Sequence, residues 1–205
     1  MTILMESLLV CTNSDKHHFM ADAWEGLPAP KEGTSSQFKE GEYHVSYEAF
    51  EANMGKKEDL YSDLGWNFNI GSWKDYVLKG WFADTLPKLS VHQQFSFLRL
   101  DGDCYDCTYD AIFYLYPRLN CGGYVYVDDF WEFPECRRAI RDYMKKYDQN
   151  FQSWAIVEQS YYTPQKSKSF FKLNFGVHVF DLTEEEGMKI HINQRLEAAW
   201  WKKEC

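Results

Sequence analysis

Two pairs of carboxylates close two apolar runs in the middle of the chain: Asp101 and Asp103 follow Phe95–Leu100, and Asp128 and Asp129 follow Tyr124–Val127. Carboxylates gathered in one crevice repel one another and raise each other's pKa unless a cation sits among them. An all-oxygen donor set suits a hard divalent ion such as magnesium, held at roughly 2.1 Å with water or substrate oxygens completing the shell. The plainer alternative is that Asp103 and Asp106 cap a helix and that Asp128-Asp129 is a polar strand end. Spacing alone leaves both readings open.

The elements that must position these groups follow from the pattern between them. Phe95–Leu100 and Tyr124–Val127 are short, apolar and rich in aromatic and β-branched residues, which predicts buried strands. From Thr108 to Tyr116, and on to Leu119, the residues Ile112, Leu115, Tyr116 and Leu119 recur at helical spacing, and Asn120, Gly122 and Gly123 supply a stop and a turn. Strand, helix and strand in about 30 residues make a βαβ unit. A right-handed crossover makes its strands parallel, so their carboxyl ends share the edge where open α/β sheets bind ligands. Asp101, Asp128 and Asp129 are therefore expected to converge.

LRLDGDCYDCTYDAIFYLYPRLNCGGYVYVDDF also resembles the signature segment of the macrocin O-methyltransferase family, in which one strand ends in Asp-x-Asp-x-Tyr and the next in Asp-Asp-Tyr. The resemblance implies an S-adenosylmethionine-dependent, magnesium-requiring enzyme that methylates sugar hydroxyls on natural products, with a metal arrangement similar to that of catechol O-methyltransferase. Carried over residue by residue, the metal ligands fall on Asp101, Asp128 and Asp129. The ion would lower the pKa of the acceptor hydroxyl and aim it at the methyl group, with Asp101 or a nearby group taking the proton.

ADAWEGLP, at residues 21–28, resembles the family's ADSFEGLP. That match implies that Asp22 meets the ribose hydroxyls of the cofactor and that Trp24, Glu25 and Gly26 belong to the same cofactor-binding loop. Asp22 as a simple turn residue is the alternative. YVLKGWFADTL, at residues 76–86, is similar to the family's third strand and following turn, so Trp81 and Phe82 are candidates to lie against adenine. Ordinary core aromatics are the equal alternative in a chain that is 18% aromatic.

Composition bounds the rest. A chain of 205 residues, 45% hydrophobic, can bury a core, and no apolar run approaches the 18 or so residues of a membrane span. The net charge of −9 argues against a nucleic-acid partner and fits a small or neutral substrate, which the resemblance implies is a small-molecule hydroxyl acceptor; a homo-oligomer is left open. Six cysteines in a chain expected to be cytoplasmic suggest free thiols, with Cys104 and Cys107 the one C-x-x-C and no second pair to complete a zinc site. In the resembling family the position of Cys107 is normally serine.

In chain order, Met1–Cys11 reads as an amphipathic helix rather than a signal peptide, and His17–Ala21 as a short strand. Residues 31–72 read as loop, with a short helix near Tyr47–Met54. Pro134–Tyr147 is a helix with Cys136, Ala139, Ile140, Tyr143 and Met144 facing in and Arg137, Arg138, Arg141 and Lys145 facing out. Strand-like pieces at Trp154–Val157 and Phe170–Phe180 suggest that 151–188 is an insertion or extra hairpin. Lys189–Ile192 and Leu196–Lys202 read as closing antiparallel strands.

The expected fold is therefore α/β: one domain over residues 1–205, a Rossmann-like class I methyltransferase sheet with helices on both faces. A departure is expected at the start: no two glycines here are separated by one residue, so the first strand and glycine-rich loop of such enzymes are expected to be missing from this sequence. Two rival functions stand beside the methyltransferase: a catalytically inactive homologue kept as an interaction module, and a metal-dependent glycosyltransferase using Asp101 and Asp103 alone.

Overall fold

The computed structural model describes residues 16–31, 38–63, 73–147, 154–158, 177–182 and 196–204. The expected helix at Met1–Cys11 and strand at Lys189–Ile192 lie outside them. The chain packs as two compact units, Met1–Leu89 and Ser90–Cys205.

In the first unit β1 (Met20–Asp22) pairs in parallel with β2 (Val77–Lys79), aligning Asp22 with Lys79. Helix α1 (Tyr47–Asp63) starts where the Ser46 hydroxyl accepts the Ala49 N–H at 3.2 Å, a cap for one of the first turn's unpaired donors. It runs well past the expected end at Met54. Gly55 lies inside it, tolerated at a cost of about 1 kcal/mol relative to alanine. Met20, Met54 and Trp73 form a small core with Phe50 and Val77 against it. A short helix, α2 (Phe82–Thr85), follows the turn after β2.

The second unit is built on β3 (Phe95–Leu100), α3 (Tyr105–Leu115) and β4 (Leu119–Val127), with β3 and β4 parallel as the crossover requires. Leu98, Leu100, Val125 and Val127 are at most 4% exposed and alternate with Phe97 and Tyr124, at 39% and 42%. Strand β4 begins at Leu119, so Asn120, Gly122 and Gly123 lie inside it instead of forming a turn. The reason is a partner distant in sequence: Gly122 N–H donates to the Lys203 carbonyl and Lys203 N–H to Gly123. Gly122 takes a φ of +76°, and the ladder slips between Phe95 and Phe97 to absorb the extra residues.

Helix α4 (Pro134–Lys146) buries the five residues expected to face in, Cys136, Ala139, Ile140, Tyr143 and Met144. Arg137, expected outside, is also buried, because its Nη1 donates to the carbonyls of Phe130 and Trp131 at 3.1 and 3.2 Å and closes the turn before the helix. Beyond β4 the sheet continues antiparallel through β7 (Leu196–Lys202), β5 (Trp154–Glu158) and β6 (Val177–Leu182), in the order β3-β4-β7-β5-β6. No helix among the described residues is long and apolar enough to cross a membrane.

Candidate metal and cofactor sites

The parallel pairing of β3 and β4 brings their carboxyl ends together, and Asp128 N–H donates to the Leu100 carbonyl at 2.8 Å to fix that edge. There Asp101, Asp103 and Asp129 each present a carboxylate oxygen within 4.8 Å of the others. Asp103 and Asp129 reach this position with φ of +52° and +53°, a left-handed backbone that Asp tolerates better than most side chains. Gly102 is the spacer between the first two acids. A Cβ on it would stand 3.0 Å from Cys107 Cβ and from Thr108 N, so only glycine lets the loop lie this tightly on α3.

The trio differs from the expected set of Asp101, Asp128 and Asp129. Asp128 is turned toward Arg99, whose guanidinium spans Asp128 Oδ2 and Asp101 Oδ2, and its Oδ1 accepts the Tyr126 hydroxyl at 3.2 Å. Asp103, expected as a cap, takes the third place; Cys104 caps α3 in its stead, its Sγ accepting the Cys107 N–H. Burial works against the Arg99 charge, but Asp101 and Asp128 outweigh it and hold the guanidinium protonated. Burial also raises the Asp103 carboxyl above the ordinary range; a hydrogen bond with Asp129 and the charge of Arg99 oppose this, and Asp101 and Asp128 add to it. Arg99 was not singled out in sequence as a site residue, and Asp103 was read only as a cap or, with Asp101, as part of the glycosyltransferase alternative. The available signal was a lone arginine inside the otherwise apolar FSFLRL.

This donor chemistry fits a hard divalent cation. Three carboxylates crowd one another, and the Arg99 guanidinium reaches Asp101 at their edge. Below them Cys136 is buried, with its Sγ facing the Asp128 carbonyl at 3.5 Å. Burial first, and then the charges of Asp129, Asp103 and Asp101, push its thiol up to about 12. Cys104 and Cys107 are joined in a disulfide, against the expectation of free thiols.

The cofactor candidates belong to the first unit. Asp22 ends β1 with an exposed side chain whose Oδ1 accepts the Trp24 N–H at 2.6 Å. That bond holds Trp24 at a φ of +55°, unusual for so bulky a residue, with its ring buried against Tyr47 and Phe50. Glu25 is exposed. Gly26 takes a φ of +79°, and a Cβ there would lie 2.6 Å from the Gly41 carbonyl oxygen. Trp81 and Phe82 are half-buried in the turn after β2, where the Trp81 carbonyl accepts the Thr85 hydroxyl at 2.9 Å.

Residues 1–156 match the macrocin-O-methyltransferase (TylF) family. The chain is 31% identical over 147 residues to demethyldecarbamoylnovobiocin O-methyltransferase of Streptomyces niveus, covering 71% of this chain and 54% of that protein. It is 32% identical over 139 residues to mycinamicin III 3''-O-methyltransferase of Micromonospora griseorubida, covering 65% and 51%. The chain thus spans about half the length of the curated relatives it matches. Among solved structures, the O-methyltransferase NovP aligns with a TM-score of 0.61 at 23% identity, over 99% of this chain and 66% of that one. A calicheamicin methyltransferase aligns at 0.56 and 16%, over 80% and 65%. The fold is therefore the α/β methyltransferase fold, the glycosyltransferase reading falls away, and the chain belongs to the macrocin-O-methyltransferase family.

Proposed function

We propose that the protein is an S-adenosylmethionine-dependent O-methyltransferase that acts on a sugar hydroxyl of a small molecule, with a divalent cation at the acidic cluster. The observation that carries this reading is the meeting of Asp101, Asp103 and Asp129 at the ends of two adjacent parallel strands, in a chain of this family. Asp101 and Asp129 are common to this trio and to the set implied by the family motif, so they hold the cation in either case. Asp103 is the third donor by geometry and Asp128 by resemblance. The cation supplies charge that makes an acceptor hydroxyl more acidic, and S-adenosylmethionine supplies an electrophilic methyl carbon.

The chain's own residues do the rest. Asp101, exposed at the mouth of the cluster, takes the proton of the acceptor hydroxyl. Arg99 orients Asp101 from behind and holds Asp128 with its other arm. Asp22 offers the ribose hydroxyls the carboxylate oxygen not engaged with Trp24, while Trp24 and Gly26 shape that loop from within. Glu25 stands exposed beside it, and Trp81 and Phe82 give adenine a flat apolar wall. The net charge of −9 disfavours a nucleic-acid partner, and the working place is the cytoplasm.

The test is calorimetry with S-adenosylmethionine and with magnesium, followed by transfer of labelled methyl to a panel of deoxysugar glycosides. Binding of both, lost in Asp22→Ala and in Asp129→Asn respectively, is the expected result. Magnesium affinity unchanged in Asp101→Asn and Asp129→Asn alike would remove the metal site. Absence of cofactor binding, in this chain and in one extended at its amino end, would leave the inactive interaction module.

A further inference from the structure

We propose that Cys104 and Cys107 form a reversible thiol–disulfide site whose oxidised state holds Asp103 in the acidic cluster. The two cysteines are bonded across the first turn of α3, with Cα atoms 5.5 Å apart, inside the range a disulfide spans without moving the backbone. Both are half-buried, within reach of a small reductant. The bridge closes so few residues that it removes little entropy from the unfolded chain, so its effect is local rather than on the whole fold.

That local effect falls on the metal-binding loop. Cys104 N–H donates to the Gly102 carbonyl, and the Gly102 backbone leans on Cys107 so closely that a Cβ would meet Cys107 Cβ at 3.0 Å. Asp103 lies between these two supports with its left-handed φ of +52°. With the bridge closed, the cysteines move as one body and the loop between β3 and α3 has one conformation. With it open, Cys104 is no longer tied to α3 through its sulfur, the turn in which its N–H donates to the Gly102 carbonyl loosens, and Asp103 can relax out of the left-handed region. In the cytoplasm, disulfides of this kind are characteristically transient and redox-sensing.

The chemistry needs a dithiol reductant. One of its sulfurs bonds Cys107 Sγ while the Sγ–Sγ electron pair leaves on Cys104, which already accepts the Cys107 N–H at 3.2 Å. The second reductant sulfur then displaces Cys107. The reductant departs as a disulfide, and its two protons and two electrons remain on two cysteine thiols.

The link to loop order stands by itself, and the link to metal affinity rests on the metal reading above. The full chain is equilibrated in dithiothreitol redox buffers, alkylated and mapped by mass spectrometry, with hydrogen exchange over residues 102–108 and magnesium calorimetry on each form. We expect the Cys104 and Cys107 thiols to appear together at one midpoint, amide exchange at Cys107 and Thr108 to rise about tenfold on reduction, and magnesium to bind several-fold more weakly. Cys107→Ser should match the reduced form and ignore dithiothreitol, which separates this bridge from other cysteines. Equal exchange in both forms, or thiols released only on unfolding, overturns the proposal. A change in exchange with no magnesium bound by either form supports the switch and sinks the metal reading. Unequal exchange with equal magnesium affinity limits the switch to loop order and removes its hold on the cluster.

Discussion

The loops after β1 and β3 begin alike and end differently. Each follows a parallel strand, opens on an aspartate and passes through a left-handed residue, Trp24 in one case and Asp103 in the other. Asp22 satisfies its own backbone by accepting the Trp24 N–H, and a buried indole finishes the turn. In the second loop the left-handed residue is itself a carboxylate, and three acids face one another beside the Arg99 bridge between Asp101 and Asp128. One loop is a closed polar arrangement with an oxygen to spare. The other crowds three carboxylates whose mutual repulsion the proposed cation would offset.

The packing beneath the two loops differs in the same direction. Ile112, Val125, Val127, Ala139 and Ile140 are 0% exposed in the second unit, whereas in the first the described cluster of Met20, Met54 and Trp73 is 7%, 3% and 8% exposed. Ile140→Ala should therefore be the most damaging simple truncation, costing about 4 kcal/mol in chemical denaturation, against about 2 kcal/mol for Met54→Ala, since a loose site collapses around its cavity. Equal losses would mean that the two cores are packed alike.

Arg99→Met tests the charge balance directly. Removing the guanidinium leaves Asp101 and Asp128 facing each other across partly buried surroundings, and the expected loss is about 2 kcal/mol, below the value for a fully buried pair because Asp101 is 39% exposed. Magnesium should restore more stability to this variant than it adds to the parent chain, by mass action on the native state. A melting temperature equally insensitive to magnesium in both proteins would refute the idea that Arg99 and a cation share the neutralisation.

Asp103→Asn and Asp128→Asn decide which acid is the third donor. If Asp103 is, its amide variant binds magnesium about tenfold more weakly, worth about 1.4 kcal/mol, while Asp128→Asn changes affinity less. The reverse order would mean that the cation draws Asp128 away from Arg99 and would restore the set implied by the family motif.

How far the chain could be read in advance depended on where each residue's partner lay. The limits of β3, the end of β4 and the five inward residues of α4 were legible because burial on one face leaves a local period in sequence. Gly122 and Gly123 were misread as a turn because the residue that makes them a strand is Lys203, at the far end of the chain. Arg137 looked like part of a solvated face, but its partners are the carbonyls of a turn that periodicity does not describe. The acidic edge was legible as a place. Which of its members face one another and which face arginine was not, because that depends on which way Asp103 and Asp129 turn on left-handed backbone.

The smallest effect concerns the strap that ties the start of α3 to α4. The Tyr105 hydroxyl donates to Asp142 Oδ2 at 2.9 Å, and the Arg138 guanidinium lies 4.5 Å above the Tyr105 ring. Burial, then the hydrogen bond to Asp142 and its charge, push the phenol up to about 12 from 10.0, with Arg138 opposing. The folded chain thus holds this proton more tightly than the unfolded one, so the contribution is intact below pH 10 and is lost as pH climbs from 10 toward about 12. Tyr105→Phe should cost less than about 1 kcal/mol at neutral pH, because the bond is partly exposed. It should also flatten the decline of stability over that alkaline window relative to the parent chain. Denaturation curves at pH 7, 10 and 11.5 measure both, and an identical alkaline decline in the two proteins would show that the Tyr105–Asp142 contact is not maintained in solution.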